Sequence, residues 1–364
     1  HLRQEFVRYG TFDVVAPQFA IVALSHMASG LLNVYLAEPD KRLDAYAYVH
    51  EVRRRALTAV VSPVGIATDA SASMDDHNLF WSHLALILGV ERYMRCVGLA
   101  CVIDGDYDRL QERIVVHLRA RSLDSAVFHT PSYPGSPMWP ADQTVTLLAM
   151  RLYDATHGTS LHDEPLRGFL RILRARRDPQ TGLFPSSVSP IEHAEWPRGC
   201  ATSWSTSYLA QLDPAAAYDQ YVRARASLSK DILGLGGFRE WPTGRAGSAD
   251  IDSGPIVFGV GVAATGLGLA PARIFRDEAS YTIIRRTALV FGLPAWWKSA
   301  GYWMAPLLGE AILFDGRTAR AWFGDAPPVP PWPISAPVAP ALMGLIDMAI
   351  LAAVVRKLVR TSRR

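Results

Sequence analysis

Six apolar segments rich in small residues recur along the chain, several of them entered through a loop containing Pro, Gly or Asp. They are FAIVALSHMASGLLNVYL from Phe19, LFWSHLALILGVERYM from Leu79, DQTVTLLAMRLYDA from Asp142, TSWSTSYLAQL from Thr202, PIVFGVGVAATGLGLA from Pro255 and YWMAPLLGEAILF from Tyr302. Their spacing, about 50 to 60 residues, is that of a repeated structural unit. Between them lie segments with one wet, often basic face, such as RLDAYAYVHEVRRRALTA and PLRGFLRILRARR. In the latter, Leu166, Phe169, Leu170 and Leu173 fall at steps of three and four, the period of an amphipathic helix. Convincing alternating strands are nearly absent.

Six hairpins, each pairing a helix apolar all round with a half-exposed one, predict an all-α fold, an (α/α)6 toroid. The apolar helices would form the inner ring, with Gly259, Gly261, Ala263, Ala264 and Gly266 permitting close contacts. An open solenoid of stacked hairpins is the structural alternative.

Composition limits what such a ring could do. With 364 residues, 49% apolar and 20% charged, the chain has ample material for a core. A net charge of +3 with basic residues scattered along helix faces gives no basis for nucleic-acid binding. Cys96, Cys101 and Cys200 show neither metal spacing nor a disulfide framework, and Cys96 and Cys101 read as small core residues. That favours a reducing compartment slightly and leaves localisation open between cytoplasmic and membrane-associated. The domain reading is a barrel over 1–325, a Pro-rich linker over 326–340 and an apolar helix over 341–364. This last helix carries Asp347 and ends in a basic cluster. It reads as the last outer helix or as a tail in contact with a membrane.

In a toroid the loops entering the inner helices converge on one end and form a funnel, and loops are where function concentrates. Those loops hold Asp142, Glu240, Asp250, Asp252 and His193 as candidate acids and bases. Tyr133, Trp139, Trp196, Arg198, Trp241, Tyr302, Trp303 and His77 are candidate substrate-binding residues. Each has a plainer reading. Asp252 or Ser253 could cap a helix starting at Pro255, and Asp142 could cap its own helix. Glu240 could pair with the adjacent Arg239. His193, between Glu192 and Glu195, is a base oriented by a carboxylate or a solvated loop residue. On the functional reading, Asp250 next to Asp252 raises one of the two pKa values, so that a carboxyl stays protonated as a proton donor. His77, in MDDHN, has no second histidine at ligand spacing, so no metal is expected. A GxSxG elbow, a P-loop, a dinucleotide fingerprint and HExxH are all missing, and no cofactor is expected.

Several stretches together resemble the linalool dehydratase/isomerase-like proteins, a bacterial (α/α)6-barrel group. They are WPADQTVTLLAMRLYDATHGT, DPQTGLFPSSVSP, RGCATSWSTSYLAQLDP, FREWPTG and ADIDSGPIVFGVGVAATG, and the likeness in layout covers roughly residues 70 to 320. The resemblance implies cofactor-independent acid/base chemistry on a hydrophobic, isoprenoid-like alcohol or alkene, and an assembly of several subunits. The cysteine pair that the dehydratase/isomerase uses near the loop SYPGSPMWPAD has no counterpart here; Tyr133, Asp142 and His129 are the polar residues in that region. Six-hairpin glycosidases share the architecture, and on that alternative two acids among Asp142, Glu240 and Asp252 act as general acid and base on a glycan. A non-catalytic helical scaffold or glycan-binding module is the third reading. On the first reading Asp252 is the main acid and Asp142 its partner.

Overall fold

A computed structural model describes residues 18–58, 60–64, 73–98, 101, 105–189, 195–292, 294–295, 301–302, 307–331, 333, 335–338, 340–345 and 348. Inner helices are α1 (Gln18–Ala37), α3 (Asn78–Gly98), α5 (Pro140–His157), α7 (Gly199–Leu209), α9 (Val262–Ile274) and α11 (Leu307–Thr318). Each packs on the next, and α11 returns to α1, so the ring is closed. The open solenoid is thereby excluded. Outer helices α2 (Arg42–Ala56), α4 (Gly105–Asp124), α6 (Asp163–Ala175), α8 (Pro214–Leu228) and α10 (Glu278–Gly292) alternate with them along the chain. The fold is an (α/α)6 barrel.

Local chemistry explains where these helices begin and end. Pro140 and Pro214 occupy the first turns of α5 and α8, where a missing N–H is harmless. Asp213 caps α8 by accepting from the Ala216 N–H at 2.9 Å. Helix α5 stops at Gly158 in the left-handed conformation, φ 67°. The face of α6 formed by Leu166, Phe169, Leu170 and Leu173 is buried, as its period requires, and its arginines face outward. Ring closure depends on a small residue: a Cβ on Gly30 of α1 would lie 2.6 Å from the Phe314 ring of α11.

Helix α1 is the one described helix long and apolar enough to cross a membrane, over Phe19–Ala37, but its apolar surface is mostly buried inside the ring. Described parts of the Pro-rich stretch touch the rest of the fold. Val329 is buried and its N–H donates to the Phe275 carbonyl, and the Ser335 N–H donates to Asp231. Most of 341–364 lies outside the described residues.

Two sequence expectations are corrected. The run beginning at Pro255 does not start as a helix. Strands β3 (Ile256–Val257) and β4 (Val260–Gly261) form a hairpin, and α9 begins only at Val262. Phe258 and Gly259 turn it with φ 50° and 79°, both in the left-handed region that a two-residue hairpin loop requires. Gly259 and Gly261 therefore belong to the hairpin rather than to an inner helix. A second hairpin, β1 (Ser229–Ile232) with β2 (Leu235–Phe238), packs beside it. The other correction concerns Cys96 and Cys101, which form a disulfide tying the last turn of α3 to the residue three positions past its end. A pair five residues apart can close where a helix ends, a case that metal or framework spacing does not consider. Its presence removes the basis for preferring a reducing compartment.

Candidate functional site

Asp142 sits in the first turn of α5, three residues after Trp139, which holds the N-cap position. It is not a cap: its Oδ2 accepts instead from the Ser132 hydroxyl at 2.5 Å, across the loop that precedes the helix. Burial in this loop-covered position pushes its pKa up to about 6, and the charge of Asp252 adds to the rise against the opposing Ser132 bond. Tyr133, half-buried, has its phenol pKa raised by burial and then by the charges of both Asp142 and Asp252. Two carboxyls 110 positions apart in the sequence thus act on one hydroxyl.

Asp252 is exposed and lies ahead of the hairpin, so it does not cap α9, whose N-cap position is Gly261. Its pKa is raised, first by partial desolvation and then by the neighbouring Asp250, with Arg198 opposing. The expected repulsion between Asp250 and Asp252 is present, but it is the weaker of the two raising effects.

Asp250 behaves in the opposite way. Arg198 grips it with two parallel bonds, Nη1 to Oδ2 at 2.6 Å and Nη2 to Oδ1 at 2.8 Å, and holds its pKa down at about 2. On its other edge Arg198 donates from Nε to Glu240 Oε1 at 2.8 Å. Glu240 is fully buried and also accepts from the Cys200 N–H at 3.2 Å and the Cys200 thiol at 3.0 Å. Burial raises the Glu240 pKa, and these donors and the guanidinium counter it. The cationic partner of Glu240 is therefore Arg198, not the adjacent Arg239.

These bonds form a chain that ends at Asp252. Asp250 Oδ1 accepts the backbone N–H of Asp252 at 3.1 Å and that of Ser253 at 2.8 Å. The Trp241 ring lies over the Arg198 guanidinium at 5.4 Å, and Gly247 packs so close to the indole that a Cβ would sit 2.4 Å from it. The loop carrying Asp252 is thus fixed from the buried Glu240 outward.

The remaining candidates divide. Trp139 and His77 are half-buried, and the His77 loop joins the Asp142 loop through the Leu79 N–H bonded to the Ser132 carbonyl at 3.3 Å. Trp196 is exposed and stacks with Arg245, which is held by Asp178 at 2.7 Å. His129 is fully buried and bonds the Val127 carbonyl, with its pKa lowered to about 4 by burial, so it belongs to the core. Tyr302 lies in the short strand β6 (Gly301–Tyr302), paired with β5 (Pro294–Ala295). His193 and Trp303 lie outside the described residues. No group of three or more metal-ligating side chains occurs among the described residues. The sequence reading missed Ser132, which nothing but its hydroxyl signals, and the thiol of Cys200 on Glu240.

A closed ring of helical hairpins with carboxyls on the loops that enter it defines the class: an (α/α)6 barrel with an acidic cluster at one mouth. Two solved structures are similar to the chain in fold. A polysaccharide lyase matches with a TM-score of 0.50 and 14% identity, over 85% of this chain and 94% of that one. A GH76 α-mannanase from Bacteroides thetaiotaomicron matches with a TM-score of 0.47 and 8% identity, over 83% of this chain and 84% of that one. No family model and no curated protein sequence matches the chain.

Proposed function

We propose that this protein is a carbohydrate-active enzyme, a glycoside hydrolase or polysaccharide lyase, working with Asp142 and Asp252 as its acid/base pair. The observation that carries the reading is the Asp142 carboxyl, pushed up to about 6 beside a second carboxyl. A half-buried acid that keeps its proton up to about pH 6 can protonate a leaving oxygen in mildly acidic solution. Asp252, the more exposed of the two, is the group to act as base, which reverses the order expected from sequence. The Tyr133 hydroxyl, kept neutral by burial and by both carboxylate charges, is the group to hydrogen-bond the substrate. Glu240, Arg198 and Asp250 act as positioning residues for the Asp252 loop. The polysaccharide lyase likeness supports the glycan class at the level of fold.

A second reading, proton transfer on a hydrophobic alcohol or alkene as in the dehydratase/isomerase-like group, is favoured by one feature. The rim next to Asp252 exposes Ile251, Val257, Phe258 and Val262.

A panel of polysaccharides separates the readings. The glycan reading expects new reducing ends, or unsaturated ultraviolet-absorbing ends for a lyase, and loss of activity in both Asp142→Asn and Asp252→Asn. Turnover of a terpene alcohol with no release from any glycan would replace it with the second reading.

A further inference from the structure

The hairpins β1–β2 and β3–β4 share one unusual choice of residue. A two-residue hairpin turn needs a left-handed backbone at its central positions, which glycine, asparagine and aspartate adopt at little cost. In the β1–β2 turn the first of these positions is Leu233, at φ 54°, and in the β3–β4 turn it is Phe258, at φ 50°; a glycine follows each. Both residues are more than half exposed. A large apolar side chain held this way carries backbone strain and gains no burial in return.

The two turns belong to one surface that extends beyond them. Lys230 of β1 donates to the Phe258 carbonyl, and β2 packs beside β4. The β1–β2 turn also meets the Pro-rich stretch. A Cβ on Gly234 would lie 2.7 Å from the Ala336 carbonyl oxygen, and the Ser335 N–H donates to Asp231 at 2.8 Å. Residues 338, 340–345 and 348, which come next, are helical, and there Val338, Leu342, Leu345 and Met348 are exposed. A Cβ on Gly344 would meet nothing within 4 Å. The apolar face of the outer helix α6 is buried, whereas this segment leaves its apolar side chains uncovered, so its described part is not packed as a sixth outer helix.

Charge indicates what covers such a surface. Between Asp325 and Arg356 the sequence contains one charged residue, Asp347. Arg356, Lys357, Arg360, Arg363 and Arg364 then follow within nine positions, with no acid among them. An apolar segment followed by a basic cluster matches the layers of a membrane, acyl chains and then anionic headgroups. As a helix, Ala341 to Val355 would reach about 22 Å, short of the roughly 30 Å of a hydrocarbon core. That length suits contact at the interface, shared with the hairpin turns, better than a span made alone.

We propose that the two hairpin turns and the segment after Pro337 form one docking surface for an anionic lipid bilayer. Leu233, Phe258, Leu342 and Leu345 enter the edge of the acyl region, and the C-terminal basic cluster meets the headgroups. Phe258 follows Asp252 by six positions, so docking sets the acid mouth beside the lipid. The inference does not depend on which substrate the acid pair takes.

The test is flotation of the full chain with vesicles of equal parts phosphatidylglycerol and phosphatidylcholine, and with phosphatidylcholine alone. Two double variants accompany the wild type. Leu233→Asn with Phe258→Asn keeps the turns, because asparagine tolerates the left-handed conformation, and its Tm should equal or exceed that of wild type. Arg356→Gln with Lys357→Gln removes charge only. The wild type should float with the anionic vesicles and far less with the neutral ones. The hairpin variant should partition about tenfold or more weakly, and the charge variant about tenfold more weakly on anionic vesicles alone. Three results overturn the proposal: no flotation with either vesicle, a hairpin variant that binds as wild type does, or a charge variant whose binding is unchanged. A lipid-free oligomer that the hairpin variant dissociates, with no vesicle binding, assigns the surface to a second copy of the chain and overturns it as well.

Discussion

Replacing Arg198 with Met removes the link between a buried carboxylate and the loop that presents Asp252. The Arg198 side chain is 15% exposed and that of Glu240 is 0% exposed, so solvent cannot take the place of the lost cation. Breaking a buried ion pair by deleting one partner costs about 3 to 5 kcal/mol. Cys200 still donates twice to Glu240, which argues for the lower end, about 3 kcal/mol. The Asp250 side chain is 44% exposed, so its half of the interaction adds no more than about 1 kcal/mol. The assay is urea unfolding of wild type, Arg198→Met, Glu240→Gln and the double variant at pH 7.5. Arg198→Met should lose about 3 to 4 kcal/mol, and adding Glu240→Gln should restore about half or more of that loss, since no charge is then stranded. The pH dependence has a definite sign. Without Arg198 the Glu240 pKa climbs further above its unfolded value of about 4.3. The folded state then binds the extra proton, stability is full below that value, and it falls as pH rises through the folded pKa. The deficit of the variant should therefore shrink at pH 5. A loss under about 1 kcal/mol, or no rescue by Glu240→Gln, would refute the account of this chain as the anchor of the Asp252 loop.

Three further outcomes follow from the geometry. Asp142→Asn should remove most of the activity while stabilising the fold at pH 7.5. The shift from 3.8 to about 6 is roughly two units, so the gain is at most about 3 kcal/mol; a destabilised variant contradicts the assignment. Activity that needs protonated Asp142 should fall as pH rises through about 6, and this alkaline limb should disappear from the residual activity of the Asn variant. Phe258→Asn should raise stability by about 1 kcal/mol in thermal unfolding. Phe258 is 80% exposed and held at φ 50°, a conformation that asparagine tolerates better.

Ring closure was legible in the sequence because it rests on periodicity. Helices apolar all round alternate with helices such as Leu166–Leu173, and that alternation encodes inner and outer layers directly. The start of α9 was not legible: Pro255 to Ala270 is apolar and small throughout, and only the dihedral demand of the Phe258–Gly259 turn separates hairpin from helix. Local explanations of the acids failed for a related reason. Asp142 bonds Ser132, ten residues earlier, and Glu240 bonds Arg198, forty-two residues earlier, whereas sequence inspection offers only near neighbours as partners. Arg198 was visible as a site residue, but its occupation by two carboxylates requires two loops distant in sequence to be in place at once. The mutual influence of Asp142 and Asp252 could be anticipated only through the toroid, since nothing local connects them.

The central claim is that ring closure brings Asp142 and Asp252 close enough for each to affect proton binding at one site. Carboxyl titration by carbon-13 NMR, following Asp142 in wild type and in Asp252→Asn, tests it most directly. The account predicts an Asp142 pKa near 6 that falls in the variant as the neighbouring charge is removed. A wild-type value near the ordinary 3.9, or one that does not move in the variant, would contradict it.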